Sequence, residues 1–145
     1  MPTPITGHMV DFVVSQCDFY PTVTETPRGG KVIGYDHRVT KTENFSVISE
    51  TAARYLLEMD LKKIAGEMER LIEVPLTANQ FLALLDFVYS VGVHTFTYSK
   101  VLANLNQKEY KKAANQFGYM VYDGKERSSK LIRRRAVEKS LFNRS

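Results

Sequence analysis

Three carboxylates near the start of the chain are the residues best suited to acid–base chemistry. They are Asp18, Glu25 and Asp36, within or beside a stretch rich in Gly, Pro and Thr. Two carboxyl groups can act as a proton donor and a charged partner when their surroundings set their pKa values apart. Each also has a structural interpretation. Asp18 follows a helical segment, Glu25 lies in a Thr-rich exposed loop, and Asp36 can bond turn backbone.

Metal, thiol and phosphate chemistry have weaker support. His8, His37 and His94 lie far apart and lack the spacing of metal ligands. Cys17 has no histidine near it in sequence and is interpreted as a small core residue. Gly29-Gly30-Lys31 lacks the longer glycine frame of a phosphate-binding loop. We therefore expect neither a metal nor a cofactor.

Length and composition indicate one globular domain, residues 1–145. The chain is 43% hydrophobic and 25% charged, which is enough apolar material for a real core. No apolar run approaches the ~18 residues that cross a bilayer, and the N-terminus lacks the features of a signal peptide. A single cysteine cannot form an internal disulfide. These features predict production in a cytoplasm, and the net charge of +4 favours solubility.

The order of sequence patterns predicts an α+β fold. A short helical stripe ends near Cys17. Residues 20–46 are rich in Gly, Pro and Thr, which predicts a small β-lobe that holds the only sheet of the protein. Residues 31–36 are expected to form one strand of that sheet. A long helix is expected over residues 49–73. Residues 74–142 are predicted to form a helical lobe together with the N-terminal helix, with almost no strand after residue 49.

Two helices of that lobe carry further detail. Within residues 74–96, Thr77-x-x-Gln80 predicts a capping box, and the apolar stripe that follows predicts a central core helix ended by Gly92. In the last helix, residues 131–142, we expect Ile132, Ala136, Val137 and Leu141 to face inward. Consecutive arginines at 133–135 splay around a helix axis, so at least one should pack against the body.

Six segments in one order resemble the phage-type lysozymes, the muramidases of phage endolysins akin to glycoside hydrolase family 24. Residues 32–37 are similar to T-I-G-Y-G-H, residues 74–84 to V-P-L-T-x-x-Q-F-x-A-L, residues 86–92 to S-F-x-F-N-x-G, and residues 131–138 to the motif G-L-x-R-R-R-x-x-E. The other two segments begin at Ile48 and at Ser99, and the similarity covers roughly residues 9–142.

The resemblance implies a small β-lobe and a larger helical lobe joined by the long helix, with peptidoglycan in the cleft between the lobes. It places Tyr20, Tyr35, His37 and Ser90 at the binding cleft. It also implies that His37 of the β-lobe faces Asp60 of the long helix. Because an unpaired buried carboxylate is costly, we expect these two side chains to form an ion pair that raises the pKa of His37.

The family's catalytic residues, spaced E-x8-D-x5-T, are not found in this chain. The Glu at the end of the first helix corresponds to one of three non-acidic residues, depending on the anchor of the alignment: Val13, Gln16 or Cys17. The Asp falls on Thr22 or Thr26, and the Thr falls on Val32. The resemblance therefore predicts a catalytically degenerate member, with Asp18, Glu25 and Asp36 as substitute candidates.

These observations predict a lysozyme-fold protein that has lost peptidoglycan hydrolysis and serves as a binding or structural component, associated with the virion or with infection. The alternative is a divergent active muramidase, and a weaker alternative is a host-directed inhibitor or regulator. The expected partners are the glycan of peptidoglycan or another phage or virion protein. We do not expect nucleic acid as the partner, although Lys130, Lys139 and residues 133–135 form a basic stretch, because matching residues belong to the family pattern.

Overall fold

Seven helices and five short strands form residues 3–144, the part of the chain that this computed structural model describes. In chain order they are α1 Gly7–Gln16, β1 Tyr20–Glu25, β2 Lys31–Gly34, β3 His37–Arg38, α2 Glu50–Leu71, α3 Ala78–Val91, α4 Val93–Thr97, α5 Lys100–Asn106, α6 Tyr110–Gln116, β4 Tyr122–Asp123, β5 Glu126–Arg127 and α7 Ser129–Phe142. A 3-10 turn follows α6. The predicted α+β class is confirmed. Two compact units are present, one from Pro4 to Lys62 and one from Lys63 onward.

The sheet of the first unit has the antiparallel order β1-β2-β3. The prediction of one strand over residues 31–36 is wrong beyond Gly34, because the chain turns back there. Gly34 and Asp36 both have positive φ, 66° and 62°, and Ile33 then pairs with His37. Gly34 is also needed for close packing, since a Cβ at this position would lie 2.9 Å from the Cβ of Ala53.

Helix α1 belongs to the first unit, whereas the sequence grouped it with the helical lobe. Thr6 caps the helix by accepting from the amide of Met9. The guanidinium of Arg54 in α2 donates to the Asp11 carboxylate at 2.6 Å and to the carbonyl of Gly7 at 3.3 Å. These contacts give α1 a partner within its own unit.

Helix α3 is the central helix of the second unit, as its stripe predicted. Thr77 and Gln80 form the expected capping box, and the helix ends at Gly92. Every residue from 81 to 89 is buried. Phe87 stacks on Phe117 with ring centroids 4.8 Å apart. None of the helices within residues 3–144 is both long and apolar enough to span a bilayer.

A second sheet lies in the helical unit, so the prediction that residues 20–46 hold the only sheet is wrong. Strands β4 and β5 pair Tyr122 with Arg127 and Asp123 with Glu126. Gly124, at φ 68°, opens the two-residue loop between them. Asp123-Gly124 is a pair typical of a turn, but the short strands on either side carry no apolar alternation that indicates a hairpin. The hairpin also departs from the prediction of almost no strand after residue 49.

Helix α7 presents the opposite face from the predicted one. Ile132, Ala136 and Val137 are exposed, while Leu141 is buried as expected. Three charged residues are buried instead: Arg134, Arg135 and Glu138. The physical reason is the carboxylate of Asp86 on α3, which is itself fully buried and pairs with Arg134. A buried charge is tolerated when it is paired and hydrogen-bonded, so the helix packs on α3 through its ionic residues.

Candidate functional site

Gln16 lies at the C-terminal end of α1, the position at which the resemblance implies the family's glutamate. The helix ends there, and the amide of Cys17 bonds back to the carbonyl of Val14 at 3.1 Å. Val13 is fully buried one turn earlier. Of the three alternatives from the sequence, Gln16 is therefore the one at the helix end. Its Nε2 donates to Ser15 Oγ at 3.1 Å, and a carboxamide has no acidic proton to give.

Glu25 occupies the position that the E-x8-D spacing reaches from Gln16. It is the last residue of β1 and is exposed. The alignments anchored on Tyr20 and Val32 pointed to Thr22 and Thr26, and so missed this correspondence. Thr22 is exposed, and Thr26 is engaged through its hydroxyl with the carbonyl of Gly29 at 2.9 Å. The signal that finds Glu25 is the end of α1, which the sequence alone does not fix.

The other catalytic candidates lie on separate parts of the first unit. Val32 is buried in β2 and has no hydroxyl to hold a water. Asp18 is exposed just beyond α1, and Asp36 is half-buried in the turn between β2 and β3. The structure thus keeps Asp18, Glu25 and Asp36 on three different segments, with Glu25 alone at a family spacing.

Tyr35 is held mainly by contacts inside the first unit. Its ring lies 5.4 Å from that of Phe19, and its hydroxyl donates to Glu50 Oε2 at 3.5 Å. Burial and the neighbouring Glu50 carboxylate raise the pKa of Tyr35, so its phenol keeps its proton. Tyr20, by contrast, is half-buried at the start of β1, and its backbone pairs with Gly34.

His37 lies between two carboxylates. The predicted contact is present, with Nδ1 2.6 Å from Asp60 Oδ2, and Nε2 is 3.0 Å from Glu43 Oε2. The hydrogen bond to Asp60 is the main cause that raises the pKa of His37. The hydrogen bond from the Thr40 amide is the main cause that lowers the pKa of Glu43. Glu43 was missed in the sequence, although Thr40-x-x-Glu43 has the spacing of a capping box.

A pocket of about 430 Å³ lies in the second unit. Its lining residues come from α5, the end of α6 and the turn after it: Ser99, Lys100, Val101, Gln116, Tyr119 and Met120. Tyr119 is 72% exposed, so its ring is available to a ligand. An aromatic face beside an ammonium and a carboxamide suits a polar ligand with apolar faces and an anionic group. Ser90, the remaining predicted binding residue, is half-buried near the end of α3.

Among residues 3–144, no group of three or more His, Cys, Asp or Glu side chains is arranged to hold a metal ion. The two ionic clusters that do form, around His37 and around Asp86, are combinations of carboxylates with cationic side chains. Such clusters neutralise their own carboxylates.

Residues 18–138 match the phage lysozyme family. The chain belongs to that family. Its phage lysozyme relatives include the endolysin of Bacillus phage B103, 36% identical over 116 residues that cover 76% of this chain and 42% of the relative. The endolysin of Salmonella phage P22 is 35% identical over 120 residues, covering 79% and 81%. The chain spans about half the length of several other phage lysozyme relatives, including the SAR-endolysin of Escherichia phage Mu, of which it covers 52%.

Solved structures of similar proteins agree with the fold. The muramidase domain of SpmX from Asticaccaulis excentricus is 31% identical and superposes with a TM-score of 0.84, covering 97% of this chain and 98% of that one. A mutant of P22 lysozyme is 27% identical with a TM-score of 0.77 and the same coverage. The second hairpin is therefore compatible with membership of the phage lysozyme family.

Proposed function

We propose that this protein binds bacterial peptidoglycan but does not hydrolyse it at the rate of an endolysin. The observation that carries the proposal is Gln16 at the end of α1. Cleavage of a glycosidic bond needs a carboxylic acid within reach of the leaving oxygen. A glutamine there can bind the same oxygen through its amide, but it cannot protonate it.

The surroundings of the other candidates support the same conclusion. A general acid at neutral pH needs an apolar setting that favours its protonated form. Asp18 and Glu25 are exposed to solvent and have no such setting. At the Thr position, the x5 spacing from Glu25 reaches Lys31 and the anchor on β2 reaches Val32, and neither side chain has a hydroxyl that could position a water. Two of the family's three catalytic roles thus lack the required functional group.

Glycan binding does not require those groups. The pocket of the second unit offers the ring of Tyr119 for stacking against a sugar face and the ammonium of Lys100 for a carboxylate of peptidoglycan. Gln116 adds a donor and an acceptor for hydroxyl or amide groups. Membership of the phage lysozyme family supports peptidoglycan as the ligand.

A divergent muramidase is the second candidate function. Glu25 at the E-x8-D spacing favours it, because this carboxylate could stabilise the cation or direct a water. The names of the relatives favour it as well, since those matched are endolysins. Asp18 would then have to supply the proton. No contact among residues 3–144 favours virion association or inhibition of a host protein, and the proposal leaves both out.

Two measurements on one preparation separate these functions. Sedimentation with insoluble peptidoglycan reports binding, and the turbidity of a cell-wall suspension reports hydrolysis. We expect co-sedimentation that weakens in Tyr119→Ala, with Tyr98→Ala as the exposed control, and no clearing. Failure to co-sediment would overturn the binding proposal.

Variants at Gln16 and Glu25 test whether these positions determine hydrolysis. Gln16→Glu restores the family's carboxyl and should produce clearing where the wild type shows none, while Ser15→Glu, one residue earlier, should not. If the wild type clears the suspension, the first function is wrong. A loss of that clearing in Glu25→Gln, but not in Glu126→Gln on exposed β5, would establish the second function.

A further inference from the structure

The segment between β3 and α2, residues 39–49, contains neither helix nor strand and is called the β3–α2 loop here. Its two ends are fastened by backbone hydrogen bonds. The amide of Val39 donates to the carbonyl of Lys31, and the amide of Ile48 donates to the carbonyl of Pro21, both at 2.9 Å. Between these ends the amide of Glu43 donates to the carbonyl of Thr40 at 3.2 Å, a bond local to the loop, and side chains connect the loop to its surroundings.

Glu43 is the side chain that fastens the middle of the loop. Its Oε1 accepts from the Thr40 amide at 2.8 Å, and its Oε2 lies 3.0 Å from Nε2 of His37. The other ring nitrogen of His37 faces Asp60 of α2 at 2.6 Å. The ring of Phe45, from the same loop, packs edge-on to the imidazole with centroids 5.8 Å apart. The loop thus reaches α2 through the imidazole.

The number of protons on the ring determines whether both links can exist. A neutral imidazole has one N–H donor and one lone pair, whereas an imidazolium donates from both nitrogens. Because each nitrogen faces a carboxylate, loss of the proton leaves one carboxylate opposite a lone pair. Asp60 lies in the middle of a long helix, while Glu43 lies in a loop that the backbone bonds of Val39 and Ile48 fasten to the sheet at its two ends. We therefore expect the contact between His37 and Glu43 of the loop, and not the contact with Asp60, to be lost.

We propose that His37 is a pH-sensitive clasp that fastens the β3–α2 loop to α2 as an imidazolium and releases its middle when it loses its proton. The ionisable groups facing the ring are Asp60 from α2 and Glu43 from the loop. Glu43 makes the clasp act on the loop, because its carboxylate is the ionisable group through which the loop binds His37.

The directions of the pKa shifts define the pH range in which the clasp is closed. The pKa of His37 is raised, chiefly by its bond to Asp60, so the stabilisation from the imidazolium is complete below the ordinary value of 6.5 and is lost as pH rises through the folded pKa. The pKa of Glu43 is lowered, chiefly by the Thr40 amide, so its stabilisation is lost as pH falls through its own folded pKa. The loop is fastened between those two limits.

Backbone amide exchange of the whole chain, corrected for intrinsic rates, tests the clasp together with an NMR titration of His37. The informative amide is that of Thr40, which bonds to the Glu43 carboxylate, and the Ala53 amide in α2 is the internal reference. We expect protection of Thr40 to fall several-fold relative to Ala53 as His37 loses its proton. Constant relative protection through that titration would overturn the proposal without any variant.

A matched pair of variants tests the role of the loop carboxylate. Glu43→Gln keeps an acceptor but removes the charge, so the titration midpoint of His37 should move down and the pH dependence of Thr40 protection should shrink. Glu58→Gln removes a carboxylate that pairs with Lys62 and not with His37, and it should leave both unchanged. An unmoved His37 midpoint in Glu43→Gln would show that the loop is not part of the clasp.

Discussion

The carboxylate of Asp86 and the guanidinium of Arg134 meet inside the second unit, joined by two hydrogen bonds of 2.9 and 2.7 Å. Asp86 is 0% and Arg134 4% exposed. Arg135 lies over the ring of Phe87, 5.0 Å from its centroid, and its Nε is 2.9 Å from Glu138 Oε1, a close contact without the alignment of a hydrogen bond. This cluster fixes the face that α7 turns towards α3.

Arg134→Met should be strongly destabilising, because it leaves the Asp86 charge buried without its partner. Breaking one side of a buried pair costs about 3–5 kcal/mol of the free energy of unfolding. The neighbouring Arg133 is exposed, so Arg133→Met should change that free energy by no more than about 0.5 kcal/mol. Urea unfolding of the two variants measures the difference, and equal losses would contradict the paired-cluster interpretation.

Glu138→Gln should change how stability depends on pH. Burial, followed by the Asp86 carboxylate, raises the pKa of Glu138 well above its ordinary 4.5, against the opposing effect of the arginines. Because the folded state binds this proton more tightly, wild-type stability falls as pH rises from the ordinary value towards the raised one. The variant lacks that loss.

Melting temperatures across pH test this prediction. Relative to wild type, Glu138→Gln should gain stability from acid towards neutral pH. A variant that loses more stability at neutral than at acid pH would show that the carboxylate is ionised in the folded protein.

Two glycine substitutions should have opposite signs. Gly34→Ala places a Cβ 2.9 Å from Ala53 at a φ of +66°, so it should cost more than about 1 kcal/mol. Gly66→Ala lies inside α2 with no atom within 4 Å of the added Cβ, and it should stabilise by about 0.5–1 kcal/mol. Thermal unfolding of both, with a single wild-type reference, measures the signs.

Thr77→Ala removes one half of the capping box that starts α3. The hydroxyl accepts from the Gln80 amide at 3.1 Å, and its loss should cost about 1 kcal/mol. Thr77→Ser keeps the oxygen and should be nearly neutral. Chemical denaturation distinguishes them, and an equally large loss in the serine variant would mean that the methyl group, not the bond, is what matters.

An element of the fold could be predicted from the sequence where residues within that element determine its boundaries and its buried face. Helix α3 was predictable because Thr77 and Gln80 mark its start and a continuous apolar stripe follows. The inward face of helix α7 was predicted wrongly, because apolar periodicity favours Ile132 and Val137. The expectation that at least one arginine packs against the body is confirmed by Arg134, but its partner Asp86 lies on another helix and leaves no local signal. The contact that buries Arg134 spans 48 residues of sequence.

The candidate site divides in the same way. The pairing of His37 with Asp60 was predicted because the family resemblance places the two residues opposite each other and a buried carboxylate needs a partner. The E-x8-D spacing between Gln16 and Glu25 was not recognised, because it depends on helix α1 ending at Gln16. Sequence patterns place such a boundary only approximately. The contact of Glu43 with His37 was not predicted, because a carboxylate in a loop can adopt many orientations that do not face the histidine.

The hairpin of β4 and β5 has a consequence for engineering. Its ladder consists of two residue pairs, and Gly124, Lys125, Glu126 and Arg127 are all exposed. Lengthening a surface loop costs little chain entropy, since each doubling adds only about 0.6 kcal/mol. A reporter peptide inserted between Gly124 and Lys125 would therefore extend a turn that supports no core residue. This gives a labelling position on the second unit, whereas Gln16 and His37 belong to the first unit.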